Sequence, residues 1–129
     1  MLRRFFMRKY VDDFIDFGPG KQMHWSNIHI EYKKPLYKQL DILREDIFCV
    51  LYGDDIFNFT VDIGWYRSFD IKGRFRVVLV KNHAWRTPIL SIECNSTKSL
   101  VSAINRCLKR LRQDTRHFLL LPPTVSPWS

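Results

Sequence analysis

The feature that most restricts how this chain can fold is a strict alternation of side chains within the stretch from Asp55 to Cys94. In IFNFTVDIGWY, every second residue from Phe57 to Trp65 is apolar, and polar or small residues occupy the positions between them. Neighbouring side chains of a β-strand point to opposite faces of its sheet, so this pattern predicts a strand with one buried face. RFRVVLVK, residues 74–81, repeats the pattern, and residues 87–94 predict a third strand that begins near Pro88.

Outside this stretch, the spacing of apolar residues predicts helices. Phe6, Tyr10 and Phe14 recur every four residues and predict an amphipathic helix from Phe5 to Phe17. A second helix is predicted from Lys98 to about Gln113, after the capping residues Asn95-Ser96-Thr97. Alternation from Trp25 to Tyr32 predicts one further strand.

The segment from Pro35 to Tyr52 has two interpretations. Apolar residues at Leu36, Leu40 and Leu43 continue at helical spacing and favour one long helix. Alternatively the helix ends at Glu45, and residues 47–52 form a strand that turns back through Gly53-Asp54-Asp55. A short apolar run does not distinguish the two by periodicity, so both remain open.

These elements predict an α+β fold. We expect a small antiparallel sheet of about four strands, packed against two or three helices that form a single layer on one main face. The 129 residues are enough for one domain with a core of its own. Residues 122–129, PPTVSPWS, are rich in proline and serine and are expected to form a loose tail.

The net charge of +8 indicates an anionic partner, which can be nucleic acid, a membrane surface or an acidic protein. Every apolar run is far shorter than the roughly 20 residues of a membrane span, and charges interrupt the N-terminus before a signal peptide could form. Three widely spaced cysteines without a CxxC motif fit free thiols in a reducing compartment. We therefore expect a cytoplasmic protein that does not enter membranes.

No residue pattern predicts an enzyme, a cofactor or a metal site. His24 and His29 are five positions apart near a strand, so strict alternation would place them on opposite faces. Asp62 is expected to form a cross-strand ion pair with Arg74 or Arg76. Neither a phosphate-binding glycine loop nor a nucleophile motif occurs.

A motif in the same central stretch is similar to a known family. A strand ends in Gly64-Trp65-Tyr66, a variable loop closes with Gly73-Arg74-Phe75, Trp85 precedes a strand with Pro88, and a helix follows Thr97. In these features the chain resembles immunity proteins of bacterial contact-dependent growth inhibition and polymorphic toxin systems. The resemblance spans about Asp55 to Leu111.

The resemblance implies a cytoplasmic inhibitor that binds the C-terminal domain of a cognate toxin, such as a nuclease, and blocks its active site. The family's members are commonly acidic, so a charge of +8 implies an acidic toxin surface or a local acidic patch, for which Asp12, Asp13 and Asp16 are candidates. The alternative is a small basic domain that binds nucleic acid, although the RNP1 motif is missing. The expected partner-binding residues are Tyr66, Arg67, Asp70, Lys72, Arg74, Arg76 and Trp85.

Overall fold

The computed structural model describes residues 8–24 and 29–119, the last four of them by backbone alone, and contains one five-stranded sheet. Each strand pairs antiparallel with the strand before it, so the sheet is a simple meander. The strands are β1 (Lys21–His24), β2 (Phe48–Gly53), β3 (Asn58–Tyr66), β4 (Arg74–Lys81) and β5 (Leu90–Cys94). One α-helix, α1 (Thr97–Leu119), follows them in the described part of the chain.

The α+β class is therefore confirmed in its coarse form, with two corrections. The sheet has five strands and not about four, and among the described residues one long helix takes the place of two or three. None of the helices in residues 8–24 and 29–119 is long and apolar enough to cross a membrane. The tail at residues 122–129 lies outside the described residues.

The register of β3 against β4 explains the alternation in the sequence. Val61 lies opposite Leu79, Ile63 opposite Val77, and Trp65 opposite Phe75. These six side chains share one face and are at most 1% exposed. Burying each such aliphatic side chain contributes about 1.5–3 kcal/mol, so this face is the main source of stability in the sheet.

Helix α1 covers that face. Its apolar stripe, which includes Leu100, Ile104 and Leu108, is buried in the same cluster as β3 and β4. The Thr97 hydroxyl at its first turn donates to the Tyr32 carbonyl at 2.8 Å, which ties the start of the helix to the segment before β2. The helix begins one residue before the predicted position and continues past Gln113.

The helix predicted for residues 5–17 is wrong in its described part. Only a short 3-10 turn, Val11–Phe14, is helical. The chain beside it pairs in extended form, because Val11 N–H donates to Ile30 O and Tyr32 N–H donates to Lys9 O, both at 2.8 Å. Residues 25–28 of the predicted strand 25–32 are outside the described residues, and Glu31 forms only an isolated bridge.

The long helix at residues 35–52 is also wrong, and the alternative strand is confirmed as β2. Two 3-10 turns, Leu36–Lys38 and Leu40–Ile42, replace the helix. Gln39 explains the break, since its buried amide bonds both backbone groups of Glu31 and the carbonyl of Lys34. The β2–β3 turn then passes through Gly53, whose φ of +93° suits glycine.

Candidate protein-binding site

An open cleft of about 620 Å³ lies between residues 32–37, residues 71–74 and the start of α1 at residues 95–97. Four cations line it, and none of the described residues that line it is acidic. Glu31 does not line the cleft, but its carboxylate lies 3.4 Å from the Lys34 ammonium. We call this feature the basic cleft. Its cations are Lys33, Lys34, Lys72 and Arg74.

One wall of the cleft includes residues 71–73, the end of a loop of residues 67–73 that we call the recognition loop. Asp70 organises it: its carbonyl accepts the Trp65 indole N–H at 2.8 Å and the Gly73 N–H at 2.9 Å. Its carboxylate accepts the Lys72 N–H at 2.9 Å and lies 3.8 Å from Arg67 Nε. These bonds hold the backbone of the loop in one conformation.

The two glycines of the family-like motif are required by close packing. A Cβ at Gly73 would meet the Trp65 indole nitrogen and lie 2.7 Å from the Arg67 nitrogen. A Cβ at Gly64 would collide with the Glu45 carbonyl oxygen. The glycines therefore let the recognition loop and residues 44–47 lie directly against β3.

Phe69, in the recognition loop, has an unusual backbone and an unusual exposure. Its φ is +62°, in the left-handed region, and its side chain is 56% exposed. This conformation costs a non-glycine residue about 1–2 kcal/mol. Its N–H donates to the Leu43 carbonyl at 2.6 Å, which holds the backbone there. More than half of the side chain is exposed, so its packing offsets little of the free energy that this backbone conformation costs.

Two more exposed hydrophobic side chains accompany Phe69. Ile71, two residues later, is 48% exposed, and Tyr37 on the facing segment is 63% exposed. Ile71 and Tyr37 both line the basic cleft. Large apolar side chains beside cations are typical of protein interfaces, in which aromatic residues and arginine are enriched.

The structure brings together only part of the predicted set of site residues. Arg67, Asp70, Lys72 and Arg74 belong to the recognition loop or its edge. Tyr66 and Arg76 point to the sheet face away from α1, where the Arg76 guanidinium lies 4.3 Å from the Tyr66 ring centroid. Arg76 also lies 3.7 Å from Glu93.

Trp85 is distant from the other predicted site residues. It lies in the β4–β5 connection and is 51% exposed. The recognition loop adjoins the Tyr66–Arg74 pair, whereas Trp85 follows the Phe59–Lys81 pair at the other end of the same ladder. Seven residues of strand separate these ends by about 23 Å, so one small contact surface does not include both.

Five residues of the basic cleft and the recognition loop were not predicted from the sequence. They are Lys33, Lys34, Tyr37, Phe69 and Ile71. Phe69 and Ile71 lie in the variable loop of the motif, so an excess of apolar side chains there was a usable signal. The position of the two lysines and Tyr37 depends on how residues 32–42 fold, and no local pattern predicts that.

The acidic patch considered at Asp12, Asp13 and Asp16 is largely used within the fold. The Asp13 carboxylate accepts the backbone N–H groups of Lys9 and Tyr10 at 3.1 and 2.9 Å. Asp12 lies against two histidines. Asp16 is exposed but accepts the Gly18 N–H at 2.9 Å. All three carboxylates therefore make contacts within the fold.

Asp62 does not form the ion pair that the sequence predicts. It lies opposite Cys49 on one side and Val78 on the other, and Arg76 lies opposite Gly64. Burial, followed by the nearby Asp46 charge, raises the pKa of Asp62 to about 6 from an ordinary value of 3.8. Ionised Asp62 therefore lowers the stability of the fold at neutral pH.

The Asp62→Asn variant is expected to be more stable than the wild type at pH 7 by about 1–3 kcal/mol. The folded protein holds a proton on Asp62 between about pH 4 and pH 6 that the unfolded chain has lost, so wild-type stability falls as pH rises through that window. Urea denaturation at pH 4, 5, 6 and 7 measures this. The extra stability of Asp62→Asn over the wild type should be small at pH 4 and largest above pH 6. A difference that does not change with pH would contradict the raised pKa of Asp62.

No family model, curated protein or solved structure matches this chain.

Proposed function

We propose that this protein is an immunity protein of a bacterial contact-dependent or polymorphic toxin system. It acts in the cytoplasm and binds the C-terminal domain of its cognate toxin through the basic cleft and the recognition loop. Phe69 carries the proposal, since a bulky ring with a φ of +62° and 56% exposure is unfavourable for the isolated fold. Burial of that ring against a partner explains why the position is not glycine.

The chemistry of the surface supports a protein partner. Phe69, Ile71 and Tyr37 supply apolar anchors that lose water on binding. The four cations of the basic cleft supply electrostatic attraction, which accelerates encounter with an acidic surface. The hydrogen bonds of Asp70 reduce the entropy lost on binding. The inhibitor then acts by covering the toxin's active site.

The alternative, nucleic-acid binding, receives less support from the same residues. Bases stack on open aromatic faces, but Trp65 and Phe75 are buried beneath α1 and are at most 1% exposed. The Tyr66 ring is covered by Arg76. Tyr37, Phe69 and Trp85 keep exposed rings, but Trp85 lies at the other end of the sheet, so at most two of these three rings are available for stacking near the cations.

Co-expression with the gene immediately upstream tests the proposal. We expect the C-terminal domain encoded there to be toxic alone, harmless with this protein, and to purify with it as a one-to-one complex. Toxicity that persists despite soluble co-expression, or the lack of any complex with that domain, would exclude the proposal. Tight RNA binding that weakens steeply with salt would support the alternative.

Charge reversal in the cleft tests the role of its cations. The double variant Lys72→Glu/Arg74→Glu is expected to slow association with the toxin domain by about tenfold or more and to weaken its salt dependence, because electrostatic steering is lost. Stopped-flow or surface plasmon resonance at several salt concentrations measures both effects. The matched control is Arg106→Glu/Lys109→Glu, two exposed cations on α1 with the same charge change. Equal slowing by both pairs would show that only net charge matters.

A further inference from the structure

Asp12, His24 and His29 form a compact cluster at the edge of the sheet, and none of them lines the basic cleft. The Asp12 Oδ2 atom lies 3.1 Å from His29 Nδ1 and 3.6 Å from His24 Nε2. The imidazole rings are 4.0 Å apart between centroids. One potential ligand atom from each residue lies within 4.8 Å of the other two.

This arrangement corrects the expectation that His24 and His29 lie on opposite faces. Alternation holds only within one strand, and β1 ends at His24. His29 belongs to the next described segment, which pairs with residues 9–11 through Ile30 and Tyr32. The two histidines therefore come from different parts of the fold and meet over the 3-10 turn that carries Asp12.

His24 is the most informative member of the cluster. Its side chain is 10% exposed, and its ring stacks on Phe48 with centroids 4.8 Å apart. Its Nε2 atom is buried and has no hydrogen-bond partner among the described residues. A buried polar atom without a partner is unfavourable.

We propose that Asp12, His24 and His29 bind one divalent transition-metal ion, with Zn²⁺ as the preferred ion. Two imidazole nitrogens and one carboxylate oxygen are a donor set that Zn²⁺ accepts, with a fourth position left for water. Zn–N distances of about 2.0–2.1 Å place tetrahedral ligands about 3.3 Å apart. The Asp12–histidine distances of 3.1 and 3.6 Å lie on either side of that value. Mg²⁺ and Ca²⁺ prefer all-oxygen sites and fit less well.

The ion would join three elements of the fold. Asp12 lies on the turn Val11–Phe14, His24 ends the four-residue edge strand β1, and His29 leads into the Glu31 bridge. Zinc bound there stabilises the N-terminal part of the chain against the sheet. The site is separate from the cleft, so this inference does not depend on the proposed toxin partner.

Cobalt titration tests the site directly. The tag-free protein, stripped with a chelator, is titrated with Co²⁺ and then with Zn²⁺. We expect one equivalent of Co²⁺ to produce the visible absorption of a four-coordinate site, and Zn²⁺ to displace it and raise the melting temperature. His24→Gln, His29→Gln and Asp12→Asn should each weaken binding by more than about 10–100-fold, the range seen when only a supporting residue is lost.

His83→Gln is the matched control, because His83 is an exposed histidine in the β4–β5 connection. It should bind Co²⁺ like the wild type. Circular dichroism establishes whether each variant is folded. If His24→Gln does not fold, the test rests on His29→Gln, whose side chain is more exposed, and on the isosteric variant Asp12→Asn. The proposal is overturned if the wild type shows no saturable binding, or if folded Asp12→Asn and His29→Gln bind as tightly as the wild type.

Discussion

Replacing Trp65 by alanine is expected to lower the free energy of unfolding by about 3–5 kcal/mol, the range typical of a deleted core aromatic. The ring is 1% exposed and meets Phe75 edge to face, with centroids 4.7 Å apart. Its indole N–H also bonds the Asp70 carbonyl at 2.8 Å. The substitution therefore removes core packing and one support of the recognition loop together, and urea denaturation followed by circular dichroism measures the loss.

Two variants separate these contributions. Trp65→Phe retains most of the packing but not the N–H donor, so it should cost only about 1–3 kcal/mol and should weaken partner binding through the loosened loop. Trp85→Ala is the surface control, since Trp85 is 51% exposed, and it should change stability by about 0.5 kcal/mol or less. A Trp65→Ala protein as stable as the wild type would contradict the packing described for β3 and α1.

Replacing Phe69 by glycine is expected to change stability and binding in opposite directions. Glycine adopts the φ of +62° without the strain of a side chain, which stabilises the folded state by about 1–2 kcal/mol. This gain exceeds the destabilisation of about 0.5–1 kcal/mol that comes from the greater conformational entropy of glycine in the unfolded chain. The free energy of unfolding should therefore stay the same or rise slightly. Affinity for the proposed toxin domain should fall by about 2 kcal/mol or more, roughly 30-fold, as for a central interface residue.

Ile56→Gly is the matched control for this variant. Ile56 is 88% exposed, but it lies in the β2–β3 turn, at the other end of the sheet from the recognition loop. It should leave affinity unchanged. Denaturation and calorimetric titration on both variants provide the comparison, and a Phe69→Gly protein that binds as tightly as the wild type would remove Phe69 from the interface.

The strands β3, β4 and β5 and the helix α1 were predictable because local pattern and burial agree there. Alternation in β3 requires one buried face, and α1 supplies the cover for that face. No distant contact is needed to recognise either pattern. The same reasoning explains why the α+β class follows from the sequence alone.

The helix predicted for residues 5–17 is wrong in its described part, and both interpretations of residues 35–52 included a helix that two 3-10 turns replace. Apolar residues four apart also suit such structures. In the first, backbone pairing with Ile30 and Tyr32 replaces helical hydrogen bonds in the described part. In the second, the buried amide of Gln39 holds two short turns in place. Both depend on contacts between residues distant in sequence, which outweigh helical spacing.

In the candidate sites too, features set by local sequence were predictable and features set by distant contacts were not. The recognition loop could be located from its motif, and its charged residues were predicted correctly as members of one loop. The lysines of residues 33–34 and the pairing of His24 with His29 could not be predicted, because both require the path of the chain between β1 and β2. Tyr66 is the last residue of β3 and not part of the loop, and strand alternation places it with Arg76 on the face away from α1.

Inhibition of the toxin itself tests the central claim most directly. The purified C-terminal domain of the proposed toxin is assayed for its activity while this protein is added in increasing amounts. We expect activity to fall to zero at one equivalent of wild-type protein and of Ile56→Gly, and to require a large excess of Phe69→Gly. Full activity in the presence of excess wild-type protein would contradict the account.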